Sequence, residues 1–250
     1  MKKGLYLTAK FKTLVYCFGA VFAFILVSLG ITAGKSITVS LSASPKPVIV
    51  IDAGHGGEDG GTQSESGILE KDINLSIALM LKDLLEKDGF RTVMIRDSDK
   101  LIYSEGCTTM RSKKSSDIHN RLSIMKANRG CIFLSIHQNH FSQSKYNGAQ
   151  VFYRPGHSES SALAESIQKS IVSSLQKDNK RQIKACTSSV YLIYNAVSTA
   201  VMVECGFLSN EEEAEKLNDK EYQYSMSLAI KQGLEDYLSK KDVNAYGVKN

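Results

Sequence analysis

Three apolar, β-branched runs each stop at a residue that can bind a metal ion or carry a proton, and this shared ending constrains the chain more than its composition does. PVIVIDA (47–53) passes through Gly54 into His55, CIFLSI (131–136) runs into His137, and TAVMV (199–203) runs into Glu204. Runs of this type read as strands covered on both faces, which requires a sheet with helices on either side. Ligands of open α/β sheets bind beyond the carboxyl ends of the strands. Three residues distant in sequence are therefore expected to meet at one sheet edge.

The rest of the pattern agrees. A glycine-rich loop, Gly54–Gly61, separates the first strand from a helix that starts at about Leu69 and carries Ile73, Ile77, Leu81, Leu84 and Leu85 at helical spacing, as far as Gly89. Phe90–Arg96 alternates as the next strand. Asp97–Ser116 is polar and predicts an exposed excursion, after which Asp117 is expected to cap a helix reaching Asn128. Gly148–Tyr153 predicts a short strand, Ser158–Leu175 a helix and Val190–Ile193 a further strand. Asn210 is expected to cap a short acidic helix with Glu211, Glu212 and Glu213 in a solvated first turn, and Glu221–Leu238 forms the last helix. Alternating strands and helices imply one twisted α/β sheet covered on both faces, with no internal repeat and no second domain.

Two imidazoles and a carboxylate at one sheet edge are the ligand set of a hydrolytic zinc site, and a further carboxylate beside them would supply its base. Glu70 is the fourth member, because it shares a helix face with the apolar Ile73 and Ile77. A carboxylate at the top of a buried stripe is costly to desolvate unless a cation or hydrogen-bond donors meet it. Alone it could equally be a first-turn acid favoured by the helix dipole; the two histidines tip the reading towards metal. Asp52 is read as orienting His55 or the loop backbone, Asn139 and His140 as lining the groove, and Arg121 as the partner of a nearby carboxylate. His119 and His157 are read as surface residues.

Ahead of this region, Thr13–Gly34 is 22 residues without a charge, preceded by Lys2, Lys3, Lys10 and Lys12. As a helix it would span about 33 Å, the thickness of a bilayer's hydrocarbon core, with the amino terminus in the cytoplasm and the rest exported. Residues 1–34 are thus expected to be a membrane anchor, a cleaved signal being the rival. Residues 35–46 form a serine-rich tether, 47–240 the catalytic domain and 241–250 a tail. Those four lysines account for most of the net charge of +5, so the remainder is nearly neutral and lacks the basic surface that nucleic acid requires. Cys107, Cys131, Cys186 and Cys205 contain no CxxC pair, which argues against a thiolate zinc site; a Cys107–Cys186 disulfide is open in an exported chain.

Four blocks carry a family resemblance: VIVIDAGHGGEDGG around His55, GILEKDINLSIA around Glu70, SIHQNH around His137 and VMVECGFLSN around Glu204. In that order they resemble the zinc-dependent N-acetylmuramoyl-L-alanine amidases of the type-3 amidase family. The resemblance implies a single α/β domain with a mixed, mostly parallel sheet of about six strands flanked by helices. It also implies Zn2+ bound by His55, Glu70 and His137, and Glu204 as the catalytic carboxylate. The stretch RSKKSSDIHNRL further resembles germination-specific cortex amidases of endospore formers, which strip peptides from muramic acid ahead of muramic δ-lactam formation. That subgroup implies peptidoglycan as substrate, an accessory lipoprotein or other localising protein as partner, a polysaccharide deacetylase acting next, and a location between forespore and mother cell. Two departures, Asn139 before His140 and Ser198-Thr199 where a proline is common, leave groove shape open. The competing functions are another zinc hydrolase of wall glycan or peptide, such as a deacetylase or carboxypeptidase, and a silent wall-binding protein.

Overall fold

The computed structural model describes residues 46–245, and side chains as far as Lys241. The apolar segment, nearly all of the tether and residues 246–250 lie outside the described residues. Among the described residues, no helix is long and apolar enough to cross a membrane. In chain order the elements are β1 (Ile49–Ala53), α1 (Glu70–Lys87), β2 (Thr92–Met94), α2 (Met110–Ala127), β3 (Ile132–Asn139), β4 (Gln150–Tyr153), α3 (Ser158–Ser174), β5 (Lys184–Ala185), α4 (Tyr191–Tyr194), β6 (Thr199–Phe207), α5 (Glu211–Asn218) and α6 (Lys220–Ala245).

The six strands form one sheet in the order β2-β1-β3-β6-β4-β5. β1, β2, β3 and β6 run parallel, while β4 lies antiparallel to β6 and parallel to β5. The fold is the expected single-domain, mostly parallel α/β sheet. Alternate residues of the central strands go to opposite layers, as strand geometry dictates. Ile49, Ile51, Leu134, Ile136, Val201 and Val203 join Ile77 and Leu81 of α1, Ile167 of α3 and Ile230 of α6 in one core. Val50, Phe133, Ala200 and Met202 pack with Leu122 and Met125 of α2 and Ile193 of α4 in the other. Double coverage explains why these strands read as unbroken apolar runs.

Four expectations need correction. Val190–Ile193 is not a strand; Tyr191–Tyr194 is a short helix whose Leu192 and Ile193 are buried beneath the second face, while the outer strand is Lys184–Ala185. A four-residue apolar cluster fits either element, and tertiary packing decides. The helix assigned to an Asp117 cap begins earlier, at Met110, where Thr109 and Ser112 close a capping box. The second half of the expected excursion is therefore helical, and Asp117 sits within the helix, buried and paired to Arg121. Glu213 is not solvated: its carboxylate accepts the backbone N–H of Gly148 at 2.8 Å and of Phe207 at 2.8 Å. The last helix continues to Ala245, into the segment read as a tail. All four described cysteines are free thiols, with Cys131, Cys186 and Cys205 buried.

α6 lies close against α3 at Gly233, where an added Cβ would come within 2.5 Å of the Ile167 Cα. Backbone atoms have no room to yield there. Gly233→Ala is expected to destabilise the domain by ~1–3 kcal/mol, as overpacking does, read as a lower urea midpoint at unchanged slope.

Candidate metal centre

β1 ends at Ala53, and Gly54 continues the pairing by donating its N–H to Ile136 O. No side chain fits at this point, since a Cβ on Gly54 would stand 2.2 Å from His137 Nε2. The next residue, His55, takes φ 62°, a left-handed conformation that β-carbon-bearing residues seldom adopt. That turn aims its ring back over the strand ends, where its centroid lies 5.0 Å from that of His137.

α1 starts where the same loop returns. Its first N–H groups lack a side-chain cap; instead Glu70 N–H donates to Thr62 O and Lys71 N–H to Gly60 O. Loop backbone thus satisfies groups that a helix start leaves open. Glu70 is only 3% exposed. Its Oε2 faces His55 Nε2 at 3.2 Å, and its Oε1 faces His137 Nδ1 at 2.9 Å. Oε2 also accepts from Thr62 N–H at 2.9 Å, while Oε1 accepts from Gln138 N–H at 3.0 Å and from Asn74 Nδ2 at 3.2 Å.

His55, Glu70 and His137 each present one ligand atom, and those atoms lie within 4.8 Å of one another. This group could hold a metal ion. Glu204 is the direct cross-strand neighbour of His137, the two being in register between β3 and β6. One of its carboxyl oxygens, Oε2, is buried with no hydrogen-bond partner. An orphaned buried oxygen beside two imidazoles and a carboxylate fits a cation and its bound water.

Electrostatics sort the four groups. Burial works against charge on His55, yet the hydrogen-bonded carboxylates of Asp59 and Glu70 outweigh it and push its pKa up to about 9. Burial likewise opposes ionisation of Glu70, but hydrogen bonds from His137 and His55 hold its carboxyl well below the usual carboxylate range. Glu204 goes the other way: burial raises it to about 7, with His137 and His55 opposing and Glu70 adding to the rise.

Asp52 does not touch His55. It is fully buried, ion-paired to Arg121 and hydrogen-bonded by Ser135 Oγ at 2.6 Å. Arg121 carries the effect onward by donating to Ala53 O at 2.9 Å and His55 O at 2.8 Å. Asn139 is half-buried at the end of β3, and His140 is exposed beyond it, outside the cluster. Residues that the sequence reading passed over complete the surroundings. Asp59 Oδ2 meets His55 Nδ1 at 2.8 Å and leaves Nε2 as the free ligand atom. Buried Arg96 donates to Ala53 O, Gly54 O and Lys71 O at 2.8–3.0 Å. Asp59 carried a signal, four residues after His55 in the same glycine-rich loop; Arg96 carried none, being an ordinary strand-end arginine.

A family model for N-acetylmuramoyl-L-alanine amidases matches residues 49–236. The chain belongs to this amidase family. It is 32% identical over 202 residues to the germination-specific N-acetylmuramoyl-L-alanine amidase of Bacillus subtilis (strain 168), covering 81% of this chain and 84% of the relative. The CwlD amidase of Clostridioides difficile, solved in complex with the GerS lipoprotein, shares 38% identity and a TM-score of 0.76, covering 78% of this chain and 100% of that one. An amidase from Clostridium difficile 630 shares 29% identity at TM-score 0.69 over 79% of this chain and 100% of that one. The reaction class of the present amidase is therefore hydrolysis of the muramoyl–L-alanine amide.

Gly54 provides a direct probe of the site. Gly54→Ala is expected to drive the His137 ring away from Glu70 and to reduce amidase turnover by about 10²-fold, the usual cost of a misplacement near 1 Å. Wild-type turnover in a folded Gly54→Ala protein would show that the observed ring position is not required.

Proposed function

We propose that this chain is a zinc-dependent amidase of spore-cortex peptidoglycan, with His55 Nε2, His137 Nδ1 and a Glu70 oxygen as metal ligands and Glu204 as the catalytic carboxylate. The observation that carries the reading is the convergence of the first three on one point with Glu204 in register beside them. Two nitrogens and a hard carboxylate oxygen, with no thiolate nearby, suit zinc better than calcium or magnesium. A zinc ion held there would supply the Lewis acid that activates water and polarises the scissile carbonyl.

The chain's own groups do the rest. With zinc bound, Asp59 would hold the Nδ1 proton of His55 and leave Nε2 to offer its lone pair to the ion. Glu204, with its buried Oε2 unpartnered beside the ligand set, would accept a proton there from the attacking water. It then delivers that proton to the nitrogen of the leaving L-alanine. Arg121 and Arg96 hold the carbonyls of residues 53–55 and so fix the loop that presents His55.

The cortex setting rests on the named germination-specific relative and on the RSKKSSDIHNRL stretch. A lipoprotein partner is suggested by the amidase–lipoprotein complex of a similar protein. We assign the export and membrane-anchoring role to residues 1–34, the tether to 35–46 and catalysis to 47–240. The enzyme would then work outside the cytoplasm, between forespore and mother cell, ahead of a polysaccharide deacetylase that acts on the exposed muramic acid. Glu204→Gln should keep its zinc content and lose turnover by about 10²–10⁴-fold, while wild-type protein with zinc should release peptides bearing a free L-alanine amino terminus. Acetate as the product, or parental turnover by Glu204→Gln, would contradict the assignment.

A further inference from the structure

The sheet edge continues past Glu204 in a direction that the hydrolytic chemistry does not use. Gln150 of β4 is the antiparallel partner of Glu204, just as His137 is its parallel partner. Direct partners project to the same side of a sheet, so His137, Glu204 and Gln150 form one row across three strands. Between His137 and Asn139 the pairing to β6 slips, with Asn139 opposite Phe207 instead of Gly206. This bulge returns Phe207 to the face that carries Glu204.

Arg181 closes that row. Its guanidinium lies 4.3 Å over the Phe207 ring and 5.8 Å from the Tyr146 ring centre. Nε donates to Asn147 O at 2.7 Å, and Nη1 reaches Gln150 Oε1 only at 3.5 Å. Gln150 is itself held by donating Nε2 to Gln182 O. Arg181 makes no ion pair among the described residues. Glu213, an acid that feels the Arg181 charge, spends its carboxylate on the Gly148 and Phe207 amides. A stacked, orientationally fixed guanidinium with unspent donors beside a hydrolytic centre is built to meet a planar anion.

The substrate class supplies one at the right reach. Beyond L-alanine, the stem peptide of peptidoglycan continues with a D-glutamyl residue linked through its side chain, which leaves its α-carboxylate free. That group lies about two residues from the scissile amide, roughly 7 Å along an extended chain. Gln150, one strand spacing (~4.8 Å) from Glu204, carries the row onward to Arg181. We propose that Arg181, stacked on Phe207 and flanked by Gln150, is the subsite for this second-residue carboxylate and makes the enzyme select peptides in which it is free. The inference rests on the amidase reading of the site and adds the substrate feature that the site selects.

Two synthetic muropeptides, identical except for a D-glutamyl α-carboxylate or its carboxamide, test it with the zinc-loaded full chain. Wild-type protein is expected to cleave the carboxylate form with at least ~10-fold higher kcat/KM, the worth of one charge-assisted hydrogen bond. Arg181→Met should lose that preference through KM, with kcat retained and the carboxamide form cleaved as before; Arg181→Lys should restore part of it. Equal cleavage of both peptides by wild-type protein would overturn the subsite while leaving the amidase reading intact. An equal loss on both peptides in Arg181→Met would make the residue merely structural and would also overturn it. Cleavage of neither peptide by wild-type protein would bring down the amidase reading and the subsite together.

Discussion

The carboxylate of Glu70 is taken out of water at the centre of the structure, and the elements around the site are arranged to compensate for that. An ionised carboxylate moved into a low-dielectric interior costs several kcal/mol unless its lone pairs are met. Here both imidazoles, two backbone N–H groups and the Asn74 amide meet them. These donors come from the loop after β1, the start of α1 and the end of β3. One buried charge therefore fixes the relative positions of three chain segments that share no local sequence. A divalent ion would take over the role that imidazole protons play towards this carboxylate.

A second tier of buried charge holds the loop itself. Arg96 and Arg121 sit almost fully buried under residues 53–55, and both donate to the backbone carbonyls of those residues. Arg121 is balanced by Asp52 and Asp117. Because guanidinium groups are planar and permanently charged, they are suited to fixing carbonyl directions in this way. The left-handed turn at His55 stays populated only when its surroundings over-determine it, and these two arginines together with Asp59 do so. Activity and local strain thus have the same structural origin.

How much of this was legible in the chain follows the range of each interaction. The strands leading to His55, His137 and Glu204 were readable because burial on both faces leaves an unbroken apolar run. Glu70 was readable because a charge sat on a buried stripe. Tyr191–Tyr194 was misread because four apolar residues carry no period of their own. The cap at Asp117 was misread because its polar surroundings hid a helix whose own capping box lies two turns earlier. Glu213 was misread because local helix-dipole logic places acids in a solvated first turn, whereas the amides of Gly148 and Phe207 call it inward. Arg96 and Arg181 owe their roles to non-local carbonyls and rings, which no sequence spacing announces.

A metal ion at the point towards which these side chains converge is the one component that every assigned role requires. Anomalous diffraction recorded at the zinc edge from crystals grown with zinc tests that most directly. The expected result is one strong peak bonded to His55 Nε2, His137 Nδ1 and a Glu70 oxygen, with Glu204 close by and unbonded to the ion. A peak located elsewhere, or fully loaded protein in which Glu70 keeps its hydrogen bonds to both histidines and touches no ion, would contradict it.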